Sequence, residues 1–145
     1  MQLTREDIAA LIPHSGAMCL LDGVIVWDSD KVHCVSACHR ATDNPLRRRG
    51  MLGALSGIEL AAQAMALHGR LAAARGERPQ AGYLVSLRDV VCRAPRLDCI
   101  DGDLVISAER LAGDERQALY RFAVEGGGAV LLDGRAAVIL TAPPP

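Results

Sequence analysis

The segment Gly57-Ile58-Glu59-Leu60-Ala61-Ala62-Gln63-Ala64-Met65-Ala66-Leu67 constrains this chain more than any other. It is apolar on nearly every side. The pattern runs on through Leu71 and Ala72 to Ala74, long enough for a helix but too short and too interrupted to span a membrane. A helix of this kind must be wrapped by other structure rather than laid on a surface. One acid, Glu59, interrupts it, and Gln63 follows one turn later on the same face. A carboxyl group inside such a wrapping loses hydration, which favours the neutral, proton-donating form unless a partner compensates. Glu59 and Gln63 are therefore candidate site residues. The alternative is a solvated polar stripe of Glu59, Gln63 and Arg70 on an Ala-rich helix.

The rest of the chain supplies the wrapping. At 145 residues it is one domain with room for a real core. Trp27, Phe122, Tyr83 and Tyr120 are its only aromatics, so Val, Leu, Ile and Ala must build that core. Thr4 is placed to cap a short helix over Arg5 to Leu11, with Asp7 completing a capping box. Met18 to Trp27 reads as a strand, Asp28-Ser29-Asp30 as a turn and Lys31 to Cys38 as its hairpin partner. Residues 40 to 53 form a loop that delivers the chain to the apolar helix, which Arg75-Gly76-Glu77-Arg78-Pro79 ends. Strands are expected over Tyr83 to Arg93, Asp103 to Leu111, Ala118 to Glu125 and Val130 to Leu140. The turns between the last three are Gly113-Asp114-Glu115 and Gly126-Gly127-Gly128. The glycine run is a hairpin turn and not a phosphate loop, since no helix follows it. The order of hairpin, long apolar helix and antiparallel meander implies an α+β domain, a helix held by a strongly curved sheet. A single domain over 1–145, with 142–145 as a frayed tail, is expected.

Charge and cysteines exclude other classes. The formal net charge of −1 offers no global field for nucleic acid or an anionic membrane. The N-terminus lacks the basic start and apolar run of a signal peptide. The five cysteines, Cys19, Cys34, Cys38, Cys92 and Cys99, are odd in number and scattered. Within one strand Cys34 and Cys38 would sit about 13 Å apart, too far to bridge. Reduced thiols in a cytoplasmic protein, with no metal site, is the expectation; Cys34, Cys38 and His39 are the weak alternative for a metal.

Four pieces of the sequence carry a resemblance. Ile12-Pro13-His14, followed by Met18-Cys19-Leu20-Leu21-Asp22-Gly23-Val24, is the first, and Gly57 to Ala64 is the second. Gly82 to Val90 with Asp101-Gly102-Asp103-Leu104 is the third, and Asp133-Gly134-Arg135-Ala136-Ala137 the last. In this order they resemble the hotdog-fold 3-hydroxyacyl-(acyl-carrier-protein) dehydratases, and within them the divergent dehydratase-like proteins of aryl-polyene gene clusters. The resemblance implies a sheet wrapped around the central helix, and a homodimer or a heterodimer with a related hotdog subunit whose sites lie between subunits. It implies no resident cofactor, because the substrate arrives on the phosphopantetheine of an acyl carrier protein in fatty-acid or aryl-polyene synthesis.

Dehydration of such a thioester needs a base for the proton beside the carbonyl, an acid for the departing hydroxyl, and N–H donors for the carbonyl oxygen. The resemblance assigns the acid to Glu59, its orientation to Gln63, and the carbonyl donors to the turn Ala54, Leu55 and Gly57 at the helix start. The family's base, a His in a Gly-His-Phe-Pro loop, is not matched: its place falls near Pro45, in Asp43-Asn44-Pro45-Leu46. His14, in the Pro-His motif, is the candidate replacement, against a structural role there. His39, expected at a strand end just before the rebuilt loop, is placed to swing toward Glu59, against the reading of a strand-end surface residue; Asn44 joins it as a substrate-binding candidate. His33 is expected to point away from the core, and His68 lies on the far side of the helix from Glu59. Arg47-Arg48-Arg49 is either a solvated loop cluster or a dock for the acidic carrier protein, with Arg88, Arg93 and Arg96 as possible extensions. The alternatives to a dehydratase are a non-catalytic partner of an active homologue, which the missing loop His favours, and a hotdog acyl-thioesterase.

Overall fold

The computed structural model describes residues 2–12, 16–72, 81–114 and 116–141. His14 with its flanking Pro13, the helix-ending Arg75 to Pro79, Glu115 of the second turn and the 142–145 tail lie outside the described residues.

Thr4 does what its sequence context predicts. It closes a two-residue strand β1 (Leu3–Thr4) and caps helix α1 (Arg5–Ala9). Its hydroxyl accepts from Asp7 N, while the Asp7 carboxylate accepts from Thr4 N. Strands β2 (Gly23–Trp27) and β3 (Lys31–Ser36) form the expected hairpin, with Asp28 Oδ1 accepting from the backbone N–H groups of Asp30 and Lys31.

Of the boundaries that differ from expectation, two bear on the site. Met18 does not begin a strand. Gly16–Met18 is a 3-10 turn, and the chain stays irregular to Asp22 because side chains bind its backbone: Leu20 N donates to Gln63, and Ser36 Oγ donates to Leu20 O. Cys38 likewise lies beyond the strand, in a 3-10 turn Cys38–Arg40, so it does not share a strand face with the buried Cys34.

The apolar segment is helix α2 (Gly57–Ala72), entered through a 3-10 turn Ala54–Ser56. Leu60, Ala61, Ala64, Leu67 and His68 are buried, and α2 packs against the sheet. A Cβ on Gly57 would sit 2.8 Å from Leu132 Cδ2 and 3.3 Å from Val124 Cγ2, so the start of the helix is pressed onto the strands as only glycine permits. Strands β4 (Ala81–Cys92), β5 (Leu104–Gly113), β6 (Gln117–Gly126) and β7 (Ala129–Thr141) complete a seven-stranded antiparallel sheet in the order β1-β2-β3-β5-β6-β7-β4. The predicted meander holds for β5, β6 and β7 only. The helix carries the chain across the sheet, so β4 forms the far edge beside β7 and β5 pairs with β3. Among the described residues no helix is long and apolar enough to cross a membrane.

Candidate active site

Glu59 stands on the first turn of α2 and is half-buried, less enclosed than a fully wrapped helix would make it. Gln63, four residues on, is completely buried, which overturns the solvated-stripe alternative. Its amide is saturated from three sides. Oε1 accepts from Leu20 N at 3.0 Å; Nε2 donates to Met18 O at 2.7 Å and to Glu59 Oε1 at 3.1 Å. Swapping the amide's N and O would set donor against donor, so the network fixes its orientation. Gln63 thus ties the helix to the Met18–Leu20 stretch and directs the Glu59 carboxylate.

The start of the helix is anchored from the other side. Leu52 N donates to Asp98 Oδ1, Leu97 N to Leu52 O, and Ala54 N to Pro95 O. Asp98 is in turn gripped by both Arg96 Nε and Nη2. That guanidinium first, and the Leu52 N–H second, hold the Asp98 carboxyl well below the usual carboxylate range. Arg96, read from sequence as part of a docking surface, is therefore a clamp; the Arg-x-Asp spacing was its one sequence signal. In the turn expected to bind a carbonyl, Ala54, Ser56 and Gly57 spend their N–H groups on Pro95 O, Gly53 O and Ala54 O. Leu55 N–H has no partner among the described residues, and the residue is 64% exposed.

The rebuilt loop is held by the residues that sequence nominated for other work. His39 is fully buried, contrary to a strand-end surface position, and its Nε2–H donates to Ile100 O at 3.0 Å instead of reaching toward Glu59. Burial pushes its pKa down, and Nδ1 has no hydrogen-bond partner among the described residues. Asn44 is buried too. It donates to Cys38 O at 2.8 Å and accepts from Leu46 N at 2.8 Å, closing the loop on itself. Arg47 spends Nη1 on Gly50 O and Nη2 on His39 O. Arg48 and Arg49 are exposed on a tight turn in which Arg49 and Gly50 have positive φ of 53° and 74° and Arg48 pairs with Met51. His33 is half-buried on the sheet face away from the core, as expected. His68 is buried, donating from Nε2 to Asp28 O and accepting at Nδ1 from Tyr120 OH. Burial pushes the Cys34 thiol up to about 12, which leaves it an inert core group.

One acid, oriented by a buried amide at the start of a central helix, is set against a curved antiparallel sheet. The sequence matches the profile of the ApeP-like proteins, described as ApeP dehydratase, over residues 6–143. The chain belongs to the ApeP-like dehydratase family. Among curated proteins none matches this ApeP-like chain. Among solved structures it resembles a chain of the dehydratase heterocomplex ApeI:P from Xenorhabdus doucetiae, at 26% identity and a TM-score of 0.81, covering 97% of this chain and 93% of that one. It also resembles the thioesterase HI1161 from Haemophilus influenzae, at 13% identity and a TM-score of 0.69, covering 98% and 93%. AziG from S. sahachiroi matches at 16% identity and a TM-score of 0.67, covering 92% and 99%. The last two establish likeness of fold alone. The architecture of the ApeP-like chain is the hotdog fold that the sequence implied.

Proposed function

We propose that this protein works in the dehydration of 3-hydroxyacyl thioesters presented by an acyl carrier protein, with Glu59 protonating the departing hydroxyl. The observation that carries the reading is the Gln63 network, which aims a half-buried carboxylate at the start of the central helix of a dehydratase-family hotdog domain. Leu55 N–H is the donor assigned to the thioester carbonyl oxygen, where negative charge grows as the neighbouring carbon loses its proton. The base takes that proton, the C–O bond breaks, and Glu59 delivers a proton to form water. His14 is the residue of this chain assigned to the base on sequence grounds, since His39 and His68 are committed to backbone and tyrosine partners. Arg48 and Arg49 are the exposed cations assigned to the carrier protein; Arg47 is spent inside the loop.

A second reading has its own support. Edge strand β4 exposes Leu84, Leu87 and Val91. An apolar, unpaired edge invites another strand. The structure from X. doucetiae is a dehydratase heterocomplex. In this reading the protein pairs through β4 with an active hotdog subunit and contributes the Glu59 wall of a shared site.

The test is turnover of a 3-hydroxyacyl carrier-protein thioester, followed by intact mass of the acyl carrier. Loss of one water by the protein alone, abolished in Glu59→Gln, supports the first reading. Turnover only when a related hotdog subunit is added supports the second. Release of the free acid would make the protein a thioesterase and overturn both.

A further inference from the structure

The sheet face turned away from α2 carries a charge pattern for which the Glu59 site has no use. Strand register aligns Lys31, Glu109, Arg121, Arg135 and Arg88 in one row across β3, β5, β6, β7 and β4. Directly opposed side chains in antiparallel pairs have Cβ atoms about 4.5–5.5 Å apart, and like charges so placed repel one another. Arg121, Arg135 and Arg88 are consecutive in the row and exposed, and none takes part in an ion pair among the described residues. The acids of this face form no ion pair with them among the described residues. Asp133 is held by Arg93, Glu109 flanks Arg121 in register without an ion pair, and Asp89 sits at a bulge of β4 with a φ of 55°.

The adjacent row runs His33, Ser107, Ala123 and Asp133. Its central members are small, so the arginine row rises beside a shallow floor. The two rows border an open groove of about 530 Å³. That volume is within the range of about 300–1,000 Å³ typical of small-molecule sites.

We propose that this groove binds a phosphate-bearing small molecule. Arg121 and Arg135 grip the phosphoryl oxygens with their planar forks, and Ser107 and His33 contact the remainder over the Ala123 floor. Guanidinium forks pair with phosphate in two-point fashion, and a dianion between them cancels the repulsion that the empty row carries. An acidic protein surface is the less fitting occupant. A stable protein interface needs about 800 Å² from each partner, whereas Arg121 and Arg135, with Asp89, Glu109 and Asp133 around them, line one open groove. The groove lies on the opposite face of the sheet from α2, so the proposal stands apart from the dehydration reading.

Titration calorimetry of the full chain with sodium pyrophosphate, at constant ionic strength set by sodium chloride, tests it. Saturable binding is expected, weakened at least tenfold in Arg121→Gln/Arg135→Gln and unchanged in Arg116→Gln, an exposed arginine outside the row. Arg121→Lys/Arg135→Lys keeps the charge without the fork and should bind with intermediate affinity. Without pyrophosphate the Gln double variant should melt close to the parent, since it loses the Arg121–Arg135 repulsion together with the Glu109–Arg121 attraction; with pyrophosphate only the parent's melting temperature should rise. Absence of saturable binding, or equal affinity in the Gln double variant, would overturn the proposal. So would a change of oligomeric state in that variant, because it would assign the face to a protein interface.

Discussion

Gln63 defines the candidate site as much as Glu59 does. Its amide answers three polar groups at once, two of them backbone groups of a segment more than forty residues earlier, so it is both fastener and pointer. Gln63→Leu keeps the volume but leaves Leu20 N–H and Met18 O facing an apolar group. Each orphaned buried group costs about 1–3 kcal/mol, so a loss of about 3 kcal/mol is expected from urea denaturation. If the variant were as stable as the parent, the fastening role would be wrong. Glu59→Gln is a different experiment. It retains a hydrogen-bonding side chain of the same size, so the melting temperature should hold while turnover falls about 10²–10⁴-fold, the usual worth of a general acid. A parallel loss of both would mean that Glu59 holds the fold and does no chemistry.

At the scale of elements, α2 and the 3-10 turn after β3 each bury a neutral imidazole. His68 joins α2 to β6 and the β2–β3 turn through Tyr120 OH and Asp28 O, and His39 joins the loop to Ile100 O. Burial is the leading cause that lowers both pKa values below the ordinary 6.5. The sign follows from linkage: a histidine with a depressed folded pKa contributes stability that is fully present above 6.5 and is lost as the pH falls below it, because the unfolded chain takes up the proton more readily. Urea midpoints measured from about pH 8 down to pH 5 should therefore hold level and then decline through the lower half of that range. A midpoint flat to pH 5 would show that neither ring is buried as described. The Asp98 carboxyl, held down by Arg96, adds a further loss only as the pH falls below its ordinary 3.8.

At the scale of the molecule, the consequential feature is the placement of β4 at the end of the sheet order. Leu84 and Leu87 oppose Val138 and Ala136, both buried on the helix side, yet remain 41% and 38% exposed because no further strand among the described residues covers them. A second hotdog subunit seated there would cover this strip. Leu87→Lys should therefore abolish association with a related hotdog subunit, read by light scattering after size exclusion, with the monomer's circular dichroism unchanged. Association that survives the substitution would move the interface elsewhere.

The local sequence determined what local physics decides. The Thr4-Asp7 capping box, the Asp28 turn, the apolar run of α2 and the one-turn spacing of Glu59 and Gln63 each depend on residues a few positions apart. The tertiary structure alone decided the rest. Whether His39 faces solvent, Glu59 or Ile100 O rests on a contact 61 residues away, and Arg96 becomes a clamp only when Asp98 meets Leu52 N. Asn44 and Arg47 turn inward because the rebuilt loop must satisfy its own carbonyls. The placement of β4 beside β7 follows from a helix crossing the sheet, which no periodicity encodes. Strand and helix type are set by side-chain spacing along the chain; strand order and the direction of a buried polar group are set by which distant partner offers the missing donor or acceptor once the core has closed.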